Sequence, residues 1–433
     1  MTLPRYPAYK DSGVEWLGEV PVHWNVFKLK RCVSLLTEKT NRRSNPVGLE
    51  NIEGWSGRFV PSESDFQGEG VAFEPGDVLF GKLRPYLAKA MVADKPGEAV
   101  GDFHVMRPRR GTGGEFLAYQ IRTQQFVSIV DGSTYGAKMP RVNWEFMGGM
   151  PLSLPPEEEQ TLITAFLDHE ASKIDTLIAE QQNLIALLKE KRQAVISHAV
   201  TKGLNPDVPV KNSGVEWLGQ VPGHWHVSPL KWLTGPGRDI MYGIVLPGPN
   251  VEQGVPIVKG GDVRPVRLRK ELLNRTTAEI EAPFARARLN PGDIVYSIRG
   301  SIGDAELVPE ELRDANITQD VARISPHSEV CGRWLLFVMK SAPVFVQLEQ
   351  RSLGAAVRGI NIFDLKRALI PVPSGVEQEA IADFLERKTV MIDSLIAESE
   401  HAVALLTERR SALISAAVTG KIDVRGLVPQ EAA

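Results

Sequence analysis

The sequence predicts an α+β protein: two mixed α/β domains joined by a pair of long antiparallel coiled-coil helices, with an internal pseudo-two-fold repeat. Three observations predict this fold. A fourteen-residue phrase occurs twice, a helix-like segment occurs twice, and the regions between them are alike only in short patches. The phrase reads DSGVEWLGEVPVHW at 11–24 and NSGVEWLGQVPGHW at 212–225, identical at eleven of fourteen positions. The chain therefore consists of two equivalent halves.

The repeat divides the 433 residues into a constant and a variable part. In chain order the predicted segments are the first repeat phrase (1–24), a first variable domain (25–153), a first long helix (154–203), a linker with the second phrase (204–225), a second variable domain (226–371), a second long helix (372–421) and a C-terminal tail (422–433). The variable domains are most alike around FEPGDVLFGKLRP, from Phe73, and LNPGDIVYSIRG, from Leu289.

The long helices are predicted from two runs, 157–202 and 376–419, that contain neither proline nor glycine. Gly203 and Gly420 follow as stop signals, and Ser374 to Glu377 has the form of a capping box. A helix of about 44 residues is roughly 65 Å long. Such a length exceeds that of ordinary globular helices, so we expect the two helices to pack on each other.

Apolar residues recur every eleven positions along each helix. This period corresponds to 3.67 residues per turn, which favours nearly straight helices over a left-handed heptad supercoil. A repeated chain can bury two equivalent stripes against each other about a two-fold axis, and an axis perpendicular to the helices makes them antiparallel. The alternative is that each helix packs only on its own domain. The predicted coiled-coil residues are Ile163, Ile174, Ile185, Ile196, Ile381, Ile392, Val403 and Ile414.

Composition and charge limit the class of protein. The chain is 43% hydrophobic and 24% charged, as expected of a soluble globular protein. It has two distant cysteines, no apolar run near the length of a membrane span, and no N-terminal signal segment, so we expect a cytoplasmic protein. Each variable domain has a net charge of about +3 and each long helix about −3, a division that is compatible with binding of a polyanion by the variable domains.

No catalytic constellation is visible in the sequence. Gly76 to Lys82 matches GxxxxGK, but Leu83 follows where a Ser or Thr would bind Mg²⁺. We interpret this segment as a strand. The chain has no Asn-Pro-Pro-aromatic motif and no HExxH motif. His224 and His226 are better explained as structural histidines than as metal ligands. We expect no catalytic residue and no bound metal.

Several of these segments resemble the specificity subunit of type I restriction–modification enzymes. They are SGVEWLG-VP-HW in both copies, PGDVLFGKLRPYLAK at 75–89, and MPLSLPPEEEQTLI and LIPVPSGVEQEAI before the long helices. The resemblance covers nearly the whole chain. It implies two target-recognition domains, at 25–153 and 226–371, each of which reads one half of a bipartite, asymmetric DNA site. It also implies that the helices hold the halves at a fixed separation and bind the partner subunits.

The same resemblance implies a non-catalytic subunit. Its partners would be double-stranded DNA, two methyltransferase subunits and restriction subunits, with no membrane. S-adenosylmethionine, ATP and Mg²⁺ would belong to those partner subunits and not to this chain. Two other interpretations stay open. One is a stand-alone, two-headed DNA-binding regulator, although no helix-turn-helix is found. The other is a coiled-coil scaffold whose variable domains bind proteins and not DNA.

The four tryptophans of the repeat phrase, Trp16, Trp24, Trp217 and Trp225, are predicted to be packing anchors rather than base-stacking residues. Candidate DNA contacts come instead from loops that follow strand-like runs and carry cations, amides or hydroxyls, the groups that bind base edges and phosphates. The two asparagines among them have an alternative role as helix caps. The predicted DNA-binding residues are Lys82, Arg84, Tyr86, Lys138, Arg141, Asn143, Arg299, Ser301, Arg358 and Asn361.

Overall fold

The computed structural model describes residues 3–40, 45–63, 68–136, 138–351 and 359–427. The chain forms two compact units: unit 1 comprises Met1–Gln182 and Glu400–Ala433, and unit 2 comprises Asn183–Ser399. Each unit contains one variable region and one segment of each long helix. Helices and strands alternate through both units, which confirms the predicted α+β class.

The strands of unit 1 are β1 (Tyr9–Asp11), β2 (Glu19–Pro21), β3 (Asn25–Lys28), β4 (Val33–Leu36), β5 (Lys39–Thr40), β6 (Pro46–Val47), β7 (Gly70–Phe73), β8 (Val78–Gly81), β9 (Ala90–Val92), β10 (Gly97–Val100), β11 (Phe103–Pro108) and β12 (Pro151–Leu154). They form one sheet in the order β4–β11–β8–β9, a second in the order β5–β7–β10–β6, and the pairs β1–β2 and β3–β12. Pairing is antiparallel except between β6 and β10.

The strands of unit 2 are β13 (Val210–Asn212), β14 (Gln220–Pro222), β15 (His226–Pro229), β16 (Met241–Tyr242), β17 (Val255–Val258), β18 (Asn274–Thr276), β19 (Ile294–Ser297), β20 (Ala305–Leu307), β21 (Asn316–Ile317), β22 (Val321–Ile324) and β23 (Leu369–Val372). Their orders are β16–β22–β19–β20, β18–β17–β21, β13–β14 and β15–β23. The first of these sheets has the same strand order as β4–β11–β8–β9 of unit 1.

The helices are α1 (Leu29–Cys32), α2 (Gly114–Ile121), α3 (Gln124–Gly132), α4 (Trp144–Met147), α5 (Glu157–Lys202), α6 (Ala278–Glu281), α7 (Gly332–Met339), α8 (Ala342–Arg351), α9 (Ile362–Lys366) and α10 (Gly375–Val418). The long helices begin three residues after the predicted 154 and 372, because Leu154 and Val372 end strands β12 and β23. The expected capping box is present at α10, where Glu377 N donates to Ser374 Oγ (3.4 Å) and Ser374 N donates to Glu377 Oε2 (3.2 Å). No helix in the described ranges is long and apolar enough to span a membrane.

The central strand of each variable region is buried on both faces. In β8, Val78 and Phe80 pack with residues of α2 and α3, whereas Leu79 packs on the opposite side with residues such as Phe73 of the second sheet. Side chains alternate across a strand, so two apolar layers require the continuous apolar sequence VLF. This burial confirms the interpretation of the GxxxxGK segment as a strand.

The two long helices pack against each other in each unit. In unit 1, Ile163 and Phe166 near the start of α5 share a core with Ile414 and Ala417 near the end of α10. In unit 2, the end of α5 and the start of α10 share a core that includes Ile196, Ala199, Ile381 and Leu385. The helices therefore pair antiparallel, as predicted, and the alternative of separate packing is wrong.

Ion pairs join the helices at equivalent places. Arg410 Nε lies 2.7 Å from Asp175 Oδ1 in unit 1, and Arg192 Nε lies 2.8 Å from Asp393 Oδ1 in unit 2. Each ion pair joins one residue of α5 to one residue of α10, and the two pairs occupy equivalent positions of the internal repeat.

Six of the eight predicted coiled-coil residues are buried; Ile185 and Val403 are half-buried. A second row of apolar residues runs alongside them at the same period, in which Leu177 and Leu395 are 45% and 44% exposed whereas Leu188 is 9% exposed. The partner helix covers this row only in part, since Leu188 packs with Ile392 and Ile396 of α10. The second row is covered at Phe166 and Ala417, where the variable region packs on the helix ends.

Candidate functional site

In unit 1, the end of β8 and the start of β11 meet the loop before α4. Lys82 N donates to the Asp102 carbonyl (2.8 Å), and Val142 N donates to the Lys82 carbonyl (3.0 Å). Leu83 and Arg141 form an isolated antiparallel bridge. These backbone bonds bring three predicted residues, Lys82, Arg84 and Arg141, into one loop cluster, which we call corner 1.

The cations of corner 1 share one carboxylate. Arg141 donates to Asp102 Oδ2 from Nη2 (2.8 Å) and from Nε (3.0 Å), while Lys82 Nζ lies 3.7 Å from Asp102 Oδ1. Hydrogen bonding to Asp102 raises the pKa of Arg141 above its ordinary value. Both cations are about one-third exposed. Lys82 and Arg141 together carry more positive charge than Asp102 neutralises, and Asp102 holds both side chains in place. The two cations can therefore bind an anion from a fixed position.

Three further predicted residues project from the same region. Arg84 has a left-handed backbone (φ 51°) directly before Pro85, and its N–H donates to the Pro140 carbonyl (2.8 Å). The Arg84 side chain is exposed, Tyr86 is 46% exposed, and Lys138 is exposed. Within the described ranges, no hydrogen bond or ion pair holds the side chains of Arg84, Tyr86 or Lys138. These groups are available to a ligand.

A buried histidine contacts the backbone of corner 1. His104 Nε2 lies 3.2 Å from the Val142 carbonyl oxygen, and its ring centroid is 5.6 Å from that of Trp144. Burial lowers the pKa of His104 to about 4, with the charge of Lys82 acting in the same direction. The ring is therefore neutral at pH 7. Asn143 accepts a hydrogen bond from Phe146 N (2.8 Å) and caps α4.

Unit 2 repeats the backbone of this corner. Ile298 N donates to the Asp320 carbonyl (2.9 Å), and Ile360 N donates to the Ile298 carbonyl (2.8 Å). Arg299 and Gly359 form the equivalent isolated bridge. We call this cluster corner 2. Since the pattern of strand ends and bridge is the same, the two corners are equivalent sites built on different side chains.

The side chains of corner 2 are held more loosely. Arg299 Nη1 lies 4.0 Å from Asp320 Oδ1, and the arginine side chain is 48% exposed. Asn361 accepts a hydrogen bond from Phe363 N (2.9 Å) and caps α9. Ser301 is half-buried in a turn in which Asp304 N donates to its carbonyl (3.2 Å). Arg358 lies outside the described residues.

A cavity of about 710 Å³ opens at corner 2. Its lining includes Arg299 and Asn361, two of the predicted residues, but not Ser301. The buried side chains of Ile298 and Ile360 contribute apolar surface. The remaining lining residues are Tyr242, Val245, Gln319, Gly359 and Ile362. The site is thus a concave surface with an apolar base, a guanidinium and two amides.

Sequence reasoning missed Asp102, Asp320, Gln319 and Tyr242. A signal for the two aspartates existed, because GDFHVMRP and TQDVARISP place them at corresponding positions. Nothing in the sequence marked Gln319 or Tyr242. The pairing of β16 with β22 places Tyr242 at the cavity, and the hydrogen bond from Gln319 N to the Ile244 carbonyl places Gln319 there.

The histidines of the repeat phrase are structural in both units. His23 Nε2 lies 2.8 Å from Glu159 Oε2, and His224 Nε2 lies 2.8 Å from Glu377 Oε1. Within the part of the chain that the structure describes, no group of three or more His, Cys, Asp or Glu side chains could hold a metal ion.

The chain is similar in sequence to type I restriction enzyme specificity subunits. No family model matches the chain. The type I restriction enzyme EcoBI specificity subunit of Escherichia coli is 27% identical over 305 residues, which are 69% of this chain and 64% of that subunit. The alignment thus spans less than two thirds of that relative's length. The putative type I restriction enzyme MjaX specificity subunit of Methanocaldococcus jannaschii is 24% identical over 94% of this chain and 96% of its own length.

Solved structures share the fold. A chain from a structural study of assembly and conformational transition in the type I restriction–modification system superposes with a TM-score of 0.68 at 19% identity, covering 92% of this chain and 98% of the other. The HsdS subunit of Thermoanaerobacter tengcongensis gives a TM-score of 0.51 at 19% identity, covering 93% and 98%. Sequence and fold together confirm the resemblance that the repeated motifs indicated.

Proposed function

We propose that this chain, a relative of the type I restriction specificity subunits in sequence and in fold, is the DNA-reading subunit of such a complex. Unit 1 and unit 2 each bind one half of a bipartite, asymmetric DNA site. Two methyltransferase subunits and the restriction subunits assemble on the chain. The chain itself performs no chemistry, and S-adenosylmethionine, ATP and Mg²⁺ act on the partner subunits.

The observation that carries this proposal is the pair of equivalent corners with unlike side chains. In both, a strand end and a bridging loop are fixed by backbone hydrogen bonds, Val142 to Lys82 and Ile360 to Ile298. Because the backbone makes these bonds itself, the side chains can differ without loss of the fold. A constant frame with variable polar groups is what the reading of two different half-sites requires.

The corners also carry suitable chemistry. Arg and Lys bind phosphates and guanine edges, and amides bind adenine edges. Arg84 and Lys138 at corner 1 and Arg299 at corner 2 are exposed cations. Phosphate contacts position a protein on the duplex, whereas base contacts select the sequence.

The test is to express the full chain with the methyltransferase subunit of its host and to map methylated adenines in the genome. We expect one bipartite motif with two unlike halves. Exchange of residues 226–371 for the same region of another specificity subunit should change one half and leave the other. No methylation motif, together with no specific DNA retention in the presence of the methyltransferase, would contradict the proposal and favour a protein-binding scaffold. Tight specific binding by the chain alone would favour a stand-alone regulator.

A further inference from the structure

Gln319 lines the corner 2 cavity and lies in the short connection between β21 and β22. Its backbone is held firmly, since Gln319 N donates to the Ile244 carbonyl (2.9 Å). The neighbouring Thr318 N donates to the Val258 carbonyl (3.0 Å), and Val321 N donates to the Thr318 carbonyl (3.1 Å). The backbone at Gln319 is therefore fixed by its bonds to neighbouring strands and loops, so its side chain starts from a defined place beside the cavity.

The amide of Gln319 makes no hydrogen bond to any residue in the described ranges. This distinguishes it from two other amides of unit 2. Asn361 uses its Oδ1 to cap α9, and the buried Gln347 accepts from Leu369 N (2.8 Å). Those two amides serve the fold, whereas Gln319 is half-buried and lines the cavity with no hydrogen bond from its amide in the described ranges.

The chemistry of a positioned amide selects among bases. A glutamine side chain can accept from adenine N6 and donate to adenine N7 at the same time, in the major groove. Arg299, which lines the same cavity and is held only at 4.0 Å from Asp320, adds a cation beside it. At corner 1 the position equivalent to Gln319 is Gly101, whose φ of 95° favours glycine. The amide is therefore a property of unit 2 alone.

We propose that Gln319 is a specificity-determining residue that reads an adenine in the half-site bound by unit 2. This inference rests on the proposed function, because it assigns one base of a target that the chain must first bind.

The experiment selects DNA from a randomised library with the full chain assembled with its methyltransferase subunits. It compares wild type with Gln319→Ala, Gln319→Met and Gln319→Arg. Loss of a bidentate contact corresponds to about a five- to 150-fold loss of discrimination at one position. We expect the Ala and Met variants to lose preference for one adenine in one half-site. The Arg variant should shift that position towards guanine. The other half-site should be unchanged.

The matched control is Gln253→Ala, which removes an exposed amide of unit 2 that does not line the cavity; it should retain the wild-type site. The thermal unfolding midpoint of each variant shows whether a change in DNA selectivity comes from a loss of folding. The Arg variant is a further control, because a new preference for guanine cannot result from unfolding. An unchanged site in all three Gln319 variants, or equal weakening for every sequence, would overturn the inference and leave the proposed function standing. If the wild type selects no sequence, both proposals fail.

Discussion

Corner 1 and corner 2 have the same backbone frame but hold their charged side chains differently. In corner 1, Lys82 and Arg141 are tied to Asp102, with Arg141 only 2.8 Å away. In corner 2 the equivalent Asp320 is 4.0 Å from Arg299, and a cavity lies open beside it. The fold therefore constrains the backbone at the strand ends, whereas the side chains there can diverge. Corner 1 presents cations, two of which are held by Asp102, whereas corner 2 presents a guanidinium and amides.

The opposite is true at the repeat phrase, where the two units keep the same contacts. Trp24 donates to Glu159 (3.1 Å) and Trp225 donates to Glu377 (3.3 Å), in each case beside a histidine bound to the same carboxylate. Unit 1 adds Tyr6, which donates to Glu159 (2.5 Å). Burial is the main cause that raises the pKa of Tyr6 above its ordinary value, and the hydrogen bond to Glu159 acts in the same direction. The residues that are the same in both repeat phrases therefore bind the first turns of the two long helices, whereas the residues that differ between the units form the corners.

The largest effect is expected from removal of these tryptophans. Trp24 and Trp225 are 0% and 1% exposed, so Trp24→Ala and Trp225→Ala should each lower the free energy of unfolding by about 3–5 kcal/mol. Denaturant unfolding monitored by circular dichroism measures the loss. Trp16→Ala, at a half-buried position, is the matched variant and should cost less. None of the three should change the recognised sequence; a changed motif would show that the phrase takes part in reading.

The second largest effect is expected from acidification, because the two units differ at one buried position. His104 is buried in unit 1, whereas the equivalent position of unit 2 is Ala322. The pKa of His104 falls from 6.5 to about 4 on burial. Its folded pKa is the lower one, so the unfolded chain binds the proton more readily. The neutral ring stabilises the fold above pH 6.5, and this stabilisation is lost as the pH falls towards 4.

Each unit of pKa difference is worth about 1.4 kcal/mol, so the full loss is about 3 kcal/mol. Urea unfolding between pH 7 and pH 4.5 should show a steeper decline for wild type than for His104→Gln, which cannot titrate. Equal slopes would mean that His104 does not carry the acid sensitivity of unit 1.

Substitution of the exposed arginines tests the comparison of the corners directly. Arg84→Ala and Arg299→Ala should each cost about 1–3 kcal/mol of binding to the preferred site if the guanidinium reads a base, and should relax one position of one half-site. Library selection with the methyltransferase present measures both. Weakening that is equal for all sequences would assign a phosphate contact instead. No change in either property would remove that arginine from the interface.

The sequence predicted the constant part of the molecule better than the variable part. Both long helices and the strand at GxxxxGK followed from local periodicity and glycine punctuation, which do not depend on distant residues. The antiparallel pairing of the helices followed from the internal repeat and its two-fold symmetry. The exposure of Leu177 did not follow, because burial depends on how many elements cover a helix face. Gln319 and Tyr242 could not be predicted for a related reason: strand pairing for Tyr242, and a backbone hydrogen bond to Ile244 for Gln319, bring them to the cavity from distant parts of the chain.

The smallest effect concerns the two asparagines, for which a cap and a DNA contact remain alternatives. Asn143 caps α4 through Phe146 N and Asn361 caps α9 through Phe363 N, so substitution by Ala should cost about 1 kcal/mol of stability. Substitution by Asp keeps the cap, because aspartate is an equally good N-cap residue, but places a negative charge at the corner. Asn143→Asp and Asn361→Asp should therefore retain the wild-type unfolding midpoint. A fall in DNA affinity in one Asp variant would place that asparagine beside the phosphates, and unchanged affinity in both would leave them as caps alone.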